Sequence, residues 1–301
     1  MLTISLSLLA AAGYGGSDFA AGLASRRASV IRVTLLATAV SLAVMGLALV
    51  LTGAGPPAPR AVAWGAAAGV AGVTGALALY LGFRHAAFSV AGPLSAVGAA
   101  GFSVLAGLLL GERPTALALI GIALALPAIA GVSASARELS DGEAAGASPP
   151  SPGKSAVTGR RRVPAGVSYG LVAGACFALL FIGLDQAGSG SGLWPVFCGQ
   201  AAALAVVGGV AAFTRDLRLP GARGGWLATL TGLTGAPGTI CYFLATHHGL
   251  LAVAAVITSL YPAVTIMLAR VLVGERLTPI RLAGLTLAAA SVALIAVGGA
   301  G

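Results

Sequence analysis

Asp18 is the ionisable side chain of this sequence that is hardest to reconcile with its surroundings. It lies in the stretch GYGGSDFAAG, residues 13–22, inside the first long apolar run. A carboxylate near the middle of a membrane helix costs about 2.5–3.5 kcal/mol on insertion scales, so such residues usually face a cavity and act in transport. Two interpretations stay open. Asp18 binds a proton or a cationic group, or it lies at the membrane interface and is hydrogen-bonded to Ser17 or to the next helix.

Four tyrosines inside apolar runs are the other candidates for a polar pathway. A buried phenol requires a hydrogen-bond partner, so we expect some of these residues to line a cavity. They are Tyr14, Tyr80, Tyr242 and Tyr261. Together with Asp18 and its neighbour Ser17, they form the candidate site for substrate passage or for coupling.

The tripeptide Gly-Glu-Arg occurs twice, 163 positions apart. A glycine after a helix can adopt the left-handed conformation that ends it, and the Pro or Thr-Pro that follows suits the start of the next helix. The glutamate then lies near a helix N-terminus, whose partial positive charge favours it. We predict tight turns between helices, with a gating role for the glutamates as the alternative. The residues are Gly111, Glu112, Arg113, Gly274, Glu275 and Arg276.

The sequence lacks the groupings that an intramembrane enzyme requires. Such catalysis needs converging groups, for example a Ser-His pair, two aspartates on facing helices or an H-E-x-x-H motif, and none is evident. The three cysteines show no metal-ligand spacing. We therefore predict a protein that is not an enzyme and that has no cofactor and no metal. A phosphate-binding G-x-x-x-x-G-K-S/T loop is also missing, so ATP is not the expected energy source.

The composition identifies the elements that must hold these residues. Of the 301 residues 58% are hydrophobic and only 8% are charged, whereas about a quarter of a soluble domain is charged. Apolar runs of roughly 20 residues can each cross a hydrocarbon core of ~30 Å. They predict an all-α polytopic membrane protein with ten transmembrane helices, at about residues 2–23, 30–52, 61–82, 88–110, 115–134, 166–186, 193–213, 225–245, 250–272 and 279–298.

The ten predicted helices divide into two halves that repeat each other. The first five-helix repeat is residues 1–134, a Ser/Gly/Pro-rich flexible linker spans 135–164, and the second repeat is 165–301. A Tyr-x4-His pattern closes the third and the eighth helix at an offset of 162. Because each half has an odd number of helices, the repeats must be inverted, an arrangement that is familiar from secondary transporters.

Two prolines interrupt helix hydrogen bonding at near-equivalent places in the two halves. Pro93 lies in the fourth predicted helix and Pro262 in the ninth. Paired kinks that allow the halves to rock are one interpretation, and static bends are the other.

The basic residues predict the orientation in the membrane. Of the 17 Lys and Arg residues, 15 lie in or beside the loops that follow odd-numbered helices. The positive-inside rule then places those loops and the linker in the cytoplasm and both termini outside. Since the net charge of +9 is explained by these loops, we do not expect nucleic-acid binding.

With the repeat established, the chain resembles the drug/metabolite transporter superfamily in its ten-helix EamA-type form. The resemblance covers nearly the whole chain outside the linker. It rests on the two Gly-Glu-Arg turns, on Tyr261-Pro262 in the ninth helix, and on the small residues that open helices one and six. In that family the termini are more often cytoplasmic, which is the reverse of the orientation that the charges predict.

The resemblance implies a secondary active transporter of the plasma (inner) membrane. It would export or exchange a small metabolite, an amino acid or a related compound, through a central cavity that opens alternately to each side. The partners it implies are a small-molecule substrate, the lipid bilayer and protons, in a monomer or a homodimer. A lipid-linked substrate flippase and a passive channel are the alternatives, and an intramembrane enzyme ranks last.

Overall fold

The computed structural model describes residues 1–85, 88–134, 162–273 and 279–298. Within these residues the chain is all-helical, and six of its ten helices are long and apolar enough by themselves to cross a membrane. The predicted ten-helix membrane fold is therefore confirmed. The helices are α1 (Leu2–Ser25), α2 (Val30–Thr52), α3 (Pro59–His85), α4 (Phe88–Leu109), α5 (Ala116–Ala134), α6 (Arg162–Gln186), α7 (Trp194–Phe213), α8 (Ala222–Thr246), α9 (Leu251–Thr258, Tyr261–Leu268 and the π-helical Ala269–Val273) and α10 (Pro279–Gly298).

Local sequence explains where several of these helices begin and end. α2 ends at Gly53, whose φ of 61° lies in the left-handed region that glycine adopts without strain. Pro195 lies in the first turn of α7, where its missing N–H leaves no helical hydrogen bond unmade. The predicted runs match the helices within a few residues. The largest difference is that α6 begins at Arg162, inside the predicted linker, whose residues 135–161 lie outside the described part of the chain.

The ninth helix is broken near its middle. It stops at Thr258 and resumes at Tyr261, so Pro262 lies in the first turn of the resumed part, where it has no N–H to donate backwards. Pro93 lies within α4, but its side chain is outside the described part of the structure. Pro127 and Pro237, which did not attract attention in the sequence, lie inside α5 and α8.

The two halves pack as inverted repeats. α1 packs along α8 while its counterpart α6 packs along α3, and α5 packs against its own counterpart α10. A β-carbon on Gly69 would overlap the backbone of Gly199, and a β-carbon on Gly232 would overlap the carbonyl of Ala37. Gly232 follows Gly69 by 163 positions, and Gly199 follows Ala37 by 162. Equivalent small residues therefore bring α3 onto α7 and α8 onto α2.

The two ends of the helix bundle are distinguished by the segments that they carry. We call the end at which α1, α3, α5, α7 and α9 finish the linker end. We call the end at which α1 begins and α2, α4, α6 and α8 finish the termini end. The charge count predicts that the linker end faces the cytoplasm.

Candidate substrate cavity

A cavity of about 180 Å³ lies in the middle of the bundle, between the two halves. Residues from α1, α2, α3, α6, α7, α8 and α9 line it, so both repeats contribute to its wall. Apolar side chains such as Phe177, Leu180 and Phe181 form one side. The polar lining residues are Tyr14, Ser17, Asp18, Thr34, Thr38, Ser41, Tyr80, Gln200, Thr231, Thr239 and Tyr261.

Asp18 lies on the cavity wall, two turns before the end of α1. Its carboxylate has no hydrogen bond and no ion pair with any residue that the structure describes. In particular, it accepts no hydrogen bond from Ser17 or from the described residues of the next helix, the two partners that the interfacial interpretation offers. Tyr14, Tyr80 and Tyr261 are its electrostatic neighbours. The carboxylate therefore shares the cavity wall with three phenol groups.

Three of the four predicted tyrosines line the cavity with Asp18. The Tyr14 hydroxyl lies 3.1 Å from Thr239 Oγ1 and donates to it, and the Tyr261 hydroxyl lies 3.2 Å from Ser95 Oγ. Tyr80 lines the cavity from α3. These hydrogen bonds fix the two rings against neighbouring helices, so their orientation is set before any substrate arrives.

Tyr242, the fourth predicted tyrosine, does not line the cavity. It is fully buried behind Phe181, with the two rings stacked at 4.2 Å between centroids. Its hydroxyl has no hydrogen-bond partner among the described residues. Tyr242 supports the cavity wall from behind, whereas Phe181 presents its ring to the cavity and packs at 6.4 Å from the Tyr14 ring.

Glu112 holds a contact between the halves at the termini end. Gly111 has a φ of 92°, and the N–H of Glu112 donates to the Gly107 carbonyl at 2.9 Å, so α4 ends in a Schellman motif. The Glu112 carboxylate then accepts hydrogen bonds from the N–H groups of Leu251 and Ala252, at the start of α9. The sequence predicts a helix N-terminus near this glutamate. The N–H groups that it contacts belong to α9 in the other half, not to the helix that follows it in the sequence.

Partial burial has the largest effect on the pKa of the Glu112 carboxyl. Loss of hydration raises the pKa of the Glu112 carboxyl above its ordinary value. The two N–H groups of α9 lower it and only partly compensate. Arg113 follows in the same turn, and the second turn, residues 274–276 with Gly274, Glu275 and Arg276, lies outside the described residues.

Asp216 makes the corresponding kind of contact at the linker end. Arg215 has a φ of 54°, and the N–H of Asp216 donates to the Ala211 carbonyl at 2.8 Å, so α7 also ends in a Schellman motif. The Asp216 carboxylate accepts hydrogen bonds from Ser29, the N-cap residue of α2, and from Arg32. The Ser29 hydroxyl and the Arg32 guanidinium hold the pKa of this carboxyl below its usual value. We call this group the Asp216 clasp.

A neutral counterpart of the Asp216 clasp lies at the termini end. Ser191 Oγ accepts a hydrogen bond from the N–H of Ala58 at 3.0 Å, and Trp194 Nε1 donates to the Gly55 carbonyl at 2.7 Å. Ser191 follows Ser29 by 162 positions, and Trp194 follows Arg32 by the same offset. We call this group the Ser191 clasp. Each clasp joins one half to the other at one end of the bundle.

Sequence reasoning missed most of the hydroxyl and amide groups of the cavity. Thr34, Thr38 and Ser41 recur at helical spacing along α2 and form a polar stripe, a signal that could have been found. Gln200 is isolated in an otherwise apolar helix and gave no comparable pattern. The clasps could have been anticipated only by applying the 162-residue offset to every polar residue, including those in loops.

Comparisons with known proteins place this geometry in context. A family model described as "EamA-like transporter family" matches residues 1–134 and 164–297. A solved structure described only as "Crystal structure of protein" superposes with a TM-score of 0.70, at 16% identity, over 96% of this chain and 95% of its own. That likeness concerns the fold alone. No curated protein matches the chain.

Proposed function

The chain belongs to the EamA-like transporter family, and from that membership we propose that it is a secondary active transporter working by alternating access. It exports or exchanges a small metabolite, an amino acid or a related compound, across the plasma membrane. A proton or counter-substrate gradient drives the movement. The family consists of membrane transporters of small solutes; the mode of transport, its direction and the membrane are our proposal.

The observation that supports alternating access most directly is a central cavity between two inverted halves. The cavity has walls from both repeats, and each end of the bundle is bridged by contacts between the halves. If the halves rock about the cavity, one set of end contacts must break while the other is kept. Inverted repeats suit this motion, because each half can adopt the conformation of the other.

Two hydrogen-bonded acids fit the role of latches in this cycle. Asp216 connects the α7–α8 connection to α2 at the linker end, and Glu112 connects the α4–α5 turn to α9 at the termini end. Hydrogen bonds weaken steeply once donor and acceptor are more than about 3.2 Å apart, so a small separation of the halves removes them. The gating role predicted for Glu112 therefore remains our proposal, now with α9 as its partner.

Comparative metabolomics of the growth medium tests the proposal. Cells that overproduce the protein are compared with cells that carry the empty vector and with cells that produce a cross-linked variant. In that variant, cysteines introduced at Ser29 and Asp216 are bridged by a short bis-methanethiosulfonate reagent, which forms a disulfide with each cysteine and is removed by a thiol reductant, in a background without the three native cysteines. Export predicts enrichment of one compound class, and bridging should abolish the enrichment until the thiols are released.

Counterflow distinguishes the transporter from its alternatives. Proteoliposomes preloaded with the unlabelled compound should take up labelled compound until its concentration inside exceeds that outside. The initial rate of this uptake should saturate as the outside concentration of the compound rises. A passive channel gives a rate that rises linearly and no counterflow. A flippase moves a lipid-linked substrate between leaflets without release into the vesicle interior.

A further inference from the structure

The charges and hydrogen bonds of the cavity indicate which kind of substrate it binds, an inference that rests on the proposed transport function. Asp18 is its one acidic lining residue, and none of the lining residues that the structure describes carries a positive charge. The remaining polar groups are hydroxyls and the Gln200 amide. The described lining therefore presents one acidic group and otherwise neutral dipoles. Within the substrate class proposed above, we propose that the cavity selects a related compound that lacks a carboxylate, a small organic monocation such as a protonated or quaternary amine, and that it rejects amino acids themselves.

Two lining groups lack a partner within the described structure. The Asp18 carboxylate makes no hydrogen bond or ion pair there, and the buried Thr34 hydroxyl makes no hydrogen bond. A carboxylate that is partly withdrawn from water and has no compensating partner is energetically unfavourable. A ligand that brings its own N–H donors or positive charge removes that cost, whereas an anionic ligand increases it.

The phenol rings around Asp18 favour a cation over a neutral ligand. Tyr14, Tyr80 and Tyr261 line the same cavity and interact electrostatically with the carboxylate, and the faces of aromatic rings attract ammonium groups. Two of these hydroxyls already bond to Thr239 and Ser95. Their rings are thus held in place, and a cation binds without reorganising them.

The size of the cavity limits the rest of the substrate. An engineered apolar cavity of about 150 Å³ holds benzene, so a volume of about 180 Å³ suits one ring or a short branched chain that carries the ammonium group. Phe177, Leu180 and Phe181 form the apolar wall against which that body packs. With a single carboxylate, a second positive charge on the ligand would find no partner among the described lining residues.

A series of probes that share a phenyl ring on a two-carbon chain and differ in their polar groups tests the inference on the unaltered protein. Phenethylamine is a cation, phenylalanine adds a carboxylate, phenylpropionate is an anion, and phenylethanol is neutral. Thermal stabilisation of the purified protein measures binding, and uptake of labelled probe into proteoliposomes measures transport. We expect phenethylamine to bind at least tenfold more tightly than the other three. Equal or tighter binding of phenylalanine would overturn the inference while leaving transport itself intact.

Variants identify the group that recognises the charge. Asp18→Asn should weaken phenethylamine binding by about thirtyfold or more, as truncation of one partner of a buried charge pair does. Asp18→Glu, which keeps the charge, should restore much of the affinity. Asp185→Asn is the matched control, because Asp185 does not line the cavity and bonds to Gln186. If Asp18→Asn binds phenethylamine as the wild type does, Asp18 is not the cation site.

The proposed transport function would be contradicted if none of the four probes is transported with a saturable rate and if the protein leaves the composition of the growth medium unchanged. Binding and transport of the neutral or zwitterionic probe alone would count against the monocation only. The two failures are therefore distinguishable.

Discussion

Replacing Gly69 by alanine is expected to separate α3 from α7 and to destabilise the protein. The new β-carbon would lie 2.6 Å from the Cα of Gly199 and closer still to its carbonyl group. The obstacle is backbone, which cannot rotate aside as a side chain can. Overpacking of this kind costs about 1–3 kcal/mol, and we expect the upper half of that range.

The same substitution also has a favourable component, which sets the net magnitude. Alanine is a better helix former than glycine by about 0.8–1.0 kcal/mol. The difference leaves a net loss of about 1–2 kcal/mol, which corresponds to a fall in Tm of roughly 2–6 °C for a chain of this size. Thermal unfolding of the detergent-solubilised protein, followed by intrinsic fluorescence, measures it.

Gly208→Ala in α7 is the matched control. A β-carbon at Gly208 meets no atom within 4 Å, so the same change in helix propensity acts there without an overlap. We expect Gly208→Ala to unfold at or above the wild-type temperature. If Gly69→Ala unfolds at the temperature of Gly208→Ala, the close approach of α3 to α7 does not contribute to stability, and the reasoning from backbone overlap is wrong.

Three further predictions follow from the ends of the bundle. Glu112→Ala removes the acceptor for two N–H groups of α9 and should lower stability by about 0.5–2 kcal/mol, as loss of an N-terminal cap does; an unchanged Tm would contradict this. Burial raises the pKa of Glu112, so the stability of the wild type relative to Glu112→Gln should be greatest at a pH below the ordinary pKa of a glutamate. This difference in stability should disappear as the pH rises through the raised pKa. Unfolding of both proteins as a function of pH measures the difference. The pKa of Asp216 is lowered, so the Asp216 clasp should contribute to stability at neutral pH. This contribution should be lost as the pH falls below the ordinary pKa of an aspartate. If the clasp is absent in solution, the stability of the wild type relative to Asp216→Asn will not fall with pH in this way.

The architecture was predictable because apolar length and charge distribution are strong signals. Runs of about 20 apolar residues gave the helices, and terminators such as Gly53 marked their ends. The odd number of helices in each half required inversion. The break in α9 near Pro262 was also foreseeable, because proline removes a donor at a known position.

The composition of the cavity was harder to predict, because helices rich in Ala, Gly and Leu hide which face points inward. Asp18 and the tyrosines were recognisable because a carboxylate or a phenol is costly to transfer into lipid without a partner. Gln200 and Thr231 cost less to transfer, so the sequence did not mark them as candidates. The contact of Glu112 with α9 was not predictable, because sequence proximity favours α5, whereas the carboxylate that follows the Schellman motif of α4 accepts hydrogen bonds from α9.

The two clasps indicate how a symmetric fold can behave asymmetrically. Ser29 and Ser191 occupy equivalent positions, as do Arg32 and Trp194, so the repeat places a cross-half hydrogen bond at each end. The sequence then makes one contact ionic and leaves the other neutral. Salt screens exposed ionic contacts and acid protonates them, but neither acts strongly on a neutral amide–hydroxyl pair. If opening at each end requires its clasp to break, the pH and the salt concentration on the side of the Asp216 clasp should control the opening of that end and leave the other end unaffected. Two halves that came from one sequence would thereby respond differently to the two compartments that they separate.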